Sequence, residues 1–104
     1  MEAFITGSHA YGTPTERSDV DIVLRVSADT AKQLRKLSSS DKIVRFGKAN
    51  LILVENDLEY AAWLLGTRDL QRRGVSVNKR DAKRVFDQLR ESIGVLDNHD
   101  SGDE

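Results

Sequence analysis

The sequence predicts an α+β domain, a mixed β-sheet with helices packed on one face. Three observations carry that expectation. Short β-branched and alternating runs, "EAFIT", "DVDIVLRV" and "ANLILVE", fill the first half of the chain. From Asp57 onward the apolar residues recur at helical spacing instead. The elements follow one another as strand, turn, strand, helix, strand, strand, helix, helix, with no repeat and no linker, and 104 residues suffice for a single modest core.

Each element has its own signal. "EAFIT" ends at Gly7 and reads as the first strand. "SHAYGTPTERS" is turn-rich, with one helical turn expected after Ser8. In "DVDIVLRV", Val20, Ile22, Leu24 and Val26 share one face and anchor the strand in the core; Asp19, Asp21, Val23 and Arg25 share the other. Ser27 or Asp29 caps a helix of about ten residues with Ala31, Leu34 and Leu37 on one side. Residues 42–46 and 49–55 read as strands joined by a tight turn at Gly47-Lys48. The next helix runs from Asp57 to about Arg73 with a stripe of Leu58, Ala61, Ala62 and Leu65, a weak point at Gly66, and Gly74 as its cap. In the last helix Asn78 is the N-cap, Ala82, Val85, Phe86, Leu89 and Ile93 form the stripe, and Gly94 ends it. Residues 1–96 then make up the domain. Residues 97–104, "DNHDSGDE", carry four acids and no base, the composition of a disordered acidic tail.

Composition narrows the function. The chain has no cysteine, which excludes disulfides, zinc thiolate sites and thiol catalysis. Its apolar runs are too short to span a membrane, and the N-terminus enters a strand-like segment directly, so a cytoplasmic setting is expected. A net charge of −1 exerts no general pull on nucleic acid. Eight Lys/Arg against four Asp/Glu between Arg68 and Glu91 make either a solvated helical surface or a docking face for a phosphate-rich or acidic partner. A nucleic-acid role has only this local excess behind it.

The chemistry concentrates near the N-terminus. Asp19 and Asp21 leave the same face of a strand with Cα atoms roughly 6.6 Å apart. Two carboxylates so placed can converge on a hard cation such as Mg²⁺ or Mn²⁺. Gly7 allows backbone N–H groups to approach a phosphate closely, and Ser8 adds a hydroxyl donor. A phosphate cradle beside a metal-binding pair is the apparatus for activating a nucleoside triphosphate.

Gly7-Ser8, ten intervening residues and Asp19-Val20-Asp21 together resemble the Gly-Ser, ten-residue gap, Asp-x-Asp motif of the DNA polymerase beta-like nucleotidyltransferase superfamily. "GSHAYGTPTERSDVDIVL" is similar to the corresponding line of its minimal nucleotidyltransferases, with Ala10, Gly12 and Ser18 in place. The resemblance implies the nucleotidyltransferase fold and a nucleoside triphosphate, such as ATP, bound with Mg²⁺. A hydroxyl attacks the α-phosphorus in line; nucleoside monophosphate is transferred and pyrophosphate leaves. It further implies that Asp19 and Asp21 are catalytic and hold the metal, that Gly7 and Ser8 hold the β- and γ-phosphates, and that Arg17 and Ser18 join the nucleotide-binding set.

Active members carry a third carboxylate on a later strand. Asn50 stands at that position here, and an amide cannot act as a base near neutral pH. Glu55 lies at the far end of the same strand and on its other face. The acceptor is expected from a partner, a second copy of the chain or a groove on this small domain, and members of this kind often pair with a small helical protein. Two readings stay open: a nucleotidyltransferase, or a catalytically degenerate nucleotide-binding or partner-binding module of the same fold. Among the remaining residues, Arg25 is a candidate for pairing with the two aspartates or for nucleotide contact. Arg45 and Lys48 read as solubilising a sheet edge. Tyr11 suits either base stacking or packing over the turn, and Trp63 a core-edge or partner contact.

Overall fold

Strand and helix follow the expected order in the computed structural model, which describes residues 2–38 and 43–102. The strands are β1 (Glu2–Thr6), β2 (Val20–Arg25), β3 (Ile43–Phe46) and β4 (Ala49–Val54). The helices are α1 (Ser8–Tyr11), α2 (Ala28–Arg35), α3 (Asp57–Arg72) and α4 (Lys79–Gly102). The expected start of β3 at residue 42 lies outside the described residues. Side-chain caps begin three helices, two of them at the sequence signals Ser27 and Asn78. Ser27 Oγ accepts from the Thr30 N–H at 3.2 Å, Asn56 Oδ1 from Leu58 and Glu59, and Asn78 Oδ1 from Asp81 at 2.9 Å.

The sheet has the order β1-β2-β4-β3. β2 and β4 are parallel neighbours at its centre, and β1 and β3 flank them antiparallel. This register sets residues in rows across the sheet. Thr6, Asp21 and Asn50 form one row, and Phe4, Val23 and Ile52 the next row on the same face. α3 covers that face: Thr6 and Thr67 share a buried hydroxyl–hydroxyl hydrogen bond of 2.8 Å, and Phe4 meets Tyr60 edge-on at 5.3 Å. α4 packs on α3, where Leu70, Ala82 and Phe86 form a buried cluster with Tyr11 and Trp63 against it.

The expectation of helices on one face holds for α1, α3 and α4. α2 takes the opposite face, where Ala31 and Leu34 pack on Leu24, Val44, Leu51 and Leu53. The cause is visible in β2, which is apolar on both sides: Val23, on the aspartate face, is as fully buried as the core on the α2 side. The carboxylates therefore lie on the α3 side of the sheet, at the end of a face that helices otherwise cover.

Helix details also differ. α2 stops at Arg35, so Leu37 falls beyond its cap and is exposed. In α3 the buried stripe is Ala62, Gly66, Thr67 and Leu70, while Leu58 and Leu65 face out. Small side chains let α3 lie close to its neighbours, and the Thr6 hydroxyl satisfies the buried Thr67. α4 continues past Gly94 to Gly102 and takes in most of the expected 97–104 tail; one interior glycine costs only about 1 kcal/mol against alanine and need not stop a helix.

Gly66 is a packing position. A Cβ there would stand 2.7 Å from Phe86 Cε1 and 2.9 Å from Leu89 Cδ1, both on α4. Overpacking of this kind costs about 1–3 kcal/mol, set against a gain of about 1 kcal/mol in helix propensity. Gly66→Ala is expected to lose about 1 kcal/mol net, read as a fall of about 4–8 °C in thermal midpoint. An unchanged or raised midpoint would show that α4 yields freely.

Candidate functional site

The site is built where β1 ends, at Gly7. Its backbone sits at φ 75°, ψ −156°, a region that side chains rarely enter, and a Cβ there would fall on the Asp21 carboxylate. The glycine thus brings main chain directly against Asp21. Its carbonyl accepts from the Ala10 and Tyr11 N–H groups at 2.9 and 3.1 Å, which turns the chain into α1.

The loop from Gly12 to Asp19 is tied at several points. Thr15 N–H donates to Ser18 Oγ at 2.9 Å and Ser18 N–H to the Thr15 carbonyl at 3.0 Å. Lys48 Nζ donates to the Glu16 carbonyl at 2.9 Å, and His9 Nε2 lies 3.3 Å from the Ser18 carbonyl. Ser18 lines the site, but its hydroxyl serves the turn. The exposed Arg17 projects from this loop with no ion pair among the described residues.

Asp19 immediately precedes β2 and Asp21 lies within it. Asn50, the register partner of Asp21 on β4, joins them: its Nδ2 donates to Asp21 Oδ1 at 3.2 Å and reaches Asp19 Oδ2 at 3.5 Å. Arg45 Nη2 lies 3.4 Å from the Asp19 carboxylate. The two aspartates therefore converge as their spacing predicts, and Asn50 occupies the third place beside them. Among the described residues, no group of three His, Cys, Asp or Glu side chains comes together.

The Tyr11 ring closes the site from α1 and rests against Phe86 at 6.3 Å. Burial raises its hydroxyl above the usual 10.0; the Asp21 charge acts in the same direction, and hydrogen bonds to Thr6 and Gly7 oppose it. Tyr11 therefore stays neutral at neutral pH. Its contribution to stability is fully present below pH 10.0 and is lost as pH rises through the higher folded value. Phenolate absorbance is expected to show Tyr11 ionising above that pH, with chemical stability declining in parallel. Ionisation at or below the free-tyrosine value would contradict this placement.

These groups form one wall of a cleft of about 1000 Å³. Gly7, Ser8, Arg17, Asp19, Asp21 and Asn50 line this side. The far wall comes from α3, α4 and the turn before α4, with Trp63, Val77, Lys79, Lys83, Phe86 and Arg90. Trp63 packs on Phe86 at 4.7 Å, and the Arg90 guanidinium lies over the Trp63 ring at 4.9 Å. Asp87 pairs with Lys83 at 2.6 Å and stands 3.6 Å from Arg90.

Several residues take other places than expected. Arg25 sits at the opposite end of β2 from the aspartates, pairs with Asp57 at 2.7 Å and donates to the Val26 carbonyl. Glu55, by contrast, stands away from the site as expected, engaged by Arg35 at 3.1 Å. Arg45 does more than solubilise an edge, because it touches Asp19, and Lys48 anchors the loop. The basic wall falls within the Arg68–Glu91 excess of positive charge, and Lys79, Lys83 and Arg90 from it recur at helical spacing on the side of α4 that lines the cleft.

A family model described as "Nucleotidyltransferase domain" matches residues 1–85, a span that ends within α4. No curated protein and no solved structure matches the chain. No helix among the described residues is long and apolar enough to cross a membrane.

Proposed function

Because the chain belongs to the nucleotidyltransferase domain family, we propose that it binds a nucleoside triphosphate with Mg²⁺ or Mn²⁺ in this cleft. It transfers the nucleoside monophosphate to a hydroxyl acceptor and releases pyrophosphate. The observation that carries this reading is the convergence of Asp19 and Asp21 on one Asn50 amide, directly against the Gly7 backbone.

The donors fit a hard divalent cation. Both charged groups offer carboxylate oxygens, their shared neighbour is a neutral amide, and they face an open cleft in which phosphate oxygens and water can complete a shell. Asp19 and Asp21 would hold the ion, and when bound it neutralises the triphosphate and polarises the α-phosphate. Gly7 and Ser8 would receive the β- and γ-phosphates, Gly7 through close backbone approach and Ser8 through its N–H and hydroxyl. Arg17 adds a cation from the loop, and Ser18 keeps that loop in shape. In the transfer, a bond forms between the acceptor oxygen and the α-phosphorus as the bond to the bridging oxygen of pyrophosphate breaks. The acceptor proton passes to water, since Asn50 cannot take it. Positioning and charge stabilisation supply the acceleration.

A cleft of about 1000 Å³ has room for an acceptor beside the nucleotide. The acceptor hydroxyl belongs to a partner, either a small helical protein or a second copy of this chain. The second reading, a nucleotide-binding or partner-binding module without transfer, draws its support from Asn50 at the place of a base. Incubation with triphosphate labelled at the α-phosphorus, Mg²⁺ and candidate acceptors separates the two. Label on an acceptor together with released pyrophosphate is expected; tight nucleotide binding with no label on any acceptor would favour the module.

A further inference from the structure

We infer that Asn50 makes the Asp19–Asp21 pair a one-cation site, filled by an ion that enters with the triphosphate. The inference rests on the proposed nucleotide reading and deepens it. The geometry around the pair sets the number of ions. Asn50 is locked in register beside Asp21 by the parallel β2–β4 ladder, and its amide nitrogen donates to both carboxylates, at 3.2 and 3.5 Å. Arg45 adds a guanidinium 3.4 Å from Asp19. In the free protein the two like charges are therefore relieved by a neutral donor and one cation already on the chain. The pair has no strong need of a bare ion.

The donor count points the same way. Two divalent ions in one catalytic site stand about 3.5–4 Å apart. A second ion needs protein ligands of its own, and Arg45 already stands beside Asp19. Among the described residues no third acid, histidine or cysteine joins the pair to serve the second ion. One ion is different. The Asn50 carboxamide can turn and present Oδ1, a neutral oxygen ligand, while the triphosphate supplies the remaining oxygen ligands. The nucleotide is thus part of the metal site, and the free protein discriminates against metal that arrives alone.

The test counts Mn²⁺ by electron paramagnetic resonance. The chain is held in excess over a non-hydrolysable α,β-methylene ATP analogue, so that the analogue is bound, and Mn²⁺ is titrated in. One Mn²⁺ per complex is expected, with no spin-coupled pair, and binding without the analogue is expected to be weaker by at least about tenfold. Asn50→Asp adds a third carboxylate and is expected to take up a second, spin-coupled Mn²⁺. It should also bind Mn²⁺ without nucleotide about tenfold more tightly than the wild type. Asn50→Ala, which adds no charge, stays at one ion and keeps the test decisive if Asn50→Asp does not fold. Two Mn²⁺ in the wild-type or Asn50→Ala complex, or a folded Asn50→Asp that still holds one, would overturn the inference while the nucleotide reading stands. Calorimetry that finds no binding of the analogue at any Mn²⁺ concentration would overturn both.

Discussion

Alanine at both Asp19 and Asp21 is expected to abolish Mg²⁺-dependent nucleotide binding and to lower nucleotidyl transfer by about 10³-fold or more. The fold should survive. The two carboxylates are partly exposed on a cleft wall, and they repel each other across a shared amide. Their removal leaves Asn50 Nδ2 without its acceptors, but at a cleft that water can enter, so stability should change by no more than about 1 kcal/mol. The combination is diagnostic: function is lost with the thermal midpoint nearly fixed. Calorimetric titration of ATP with and without Mg²⁺, beside thermal denaturation, reads both. Metal-dependent binding that persists in the double variant would remove the proposed site.

Gly7→Ala is expected to damage both stability and binding. The backbone at φ 75°, ψ −156° is essentially a glycine conformation, and its strain costs about 1–3 kcal/mol for another residue. The added methyl also lands on the Asp21 carboxylate, which must swing away from Asn50 and the cleft. The strain belongs to the backbone alone, whereas the collision needs both partners. A double-mutant cycle with Asp21→Ala separates them. The stability loss in Gly7→Ala, Asp21→Ala should be smaller than the sum of the two single losses, because the collision is gone. Strict additivity in thermal or denaturant unfolding would mean that the methyl finds room elsewhere.

How far the sequence carried the reading depends on the distance over which each feature is determined. The turn from Gly7 to Asp19 is local, so its glycine, its caps and its spacing announce themselves. Asn50 was legible for a related reason. Alternation along β4 places it on a definite face, and only the β2–β4 register was needed to set it beside Asp21. Arg25 shows the limit of the same logic: it shares a face with the aspartates, but two further strand steps carry it to the other end of the sheet, into the reach of Asp57. Alternation marks two faces of a strand without saying which helix will cover each, hence the surprise of α2. In α3 the residues Leu58 and Leu65 drew attention by size, whereas the buried stripe reaches Leu70 through Ala62, Gly66 and Thr67, whose hydroxyl finds Thr6 far away in sequence. The contacts of Arg45 and of the Trp63–Phe86–Arg90 cluster arise from tertiary packing alone.

Gly66 has a bearing on recognition as well as on packing. Phe86, one of the two side chains that a methyl at position 66 would meet, lines the cleft together with Ala82 and Lys83 from the same helix. The width of the cleft is therefore gauged on its far side by a single hydrogen atom, outside the Gly-Ser and Asp-x-Asp motif. A larger residue there would act as a shim, lifting α4 and widening the pocket. Such a change would register in the Michaelis constant before it touched the chemistry at the aspartates.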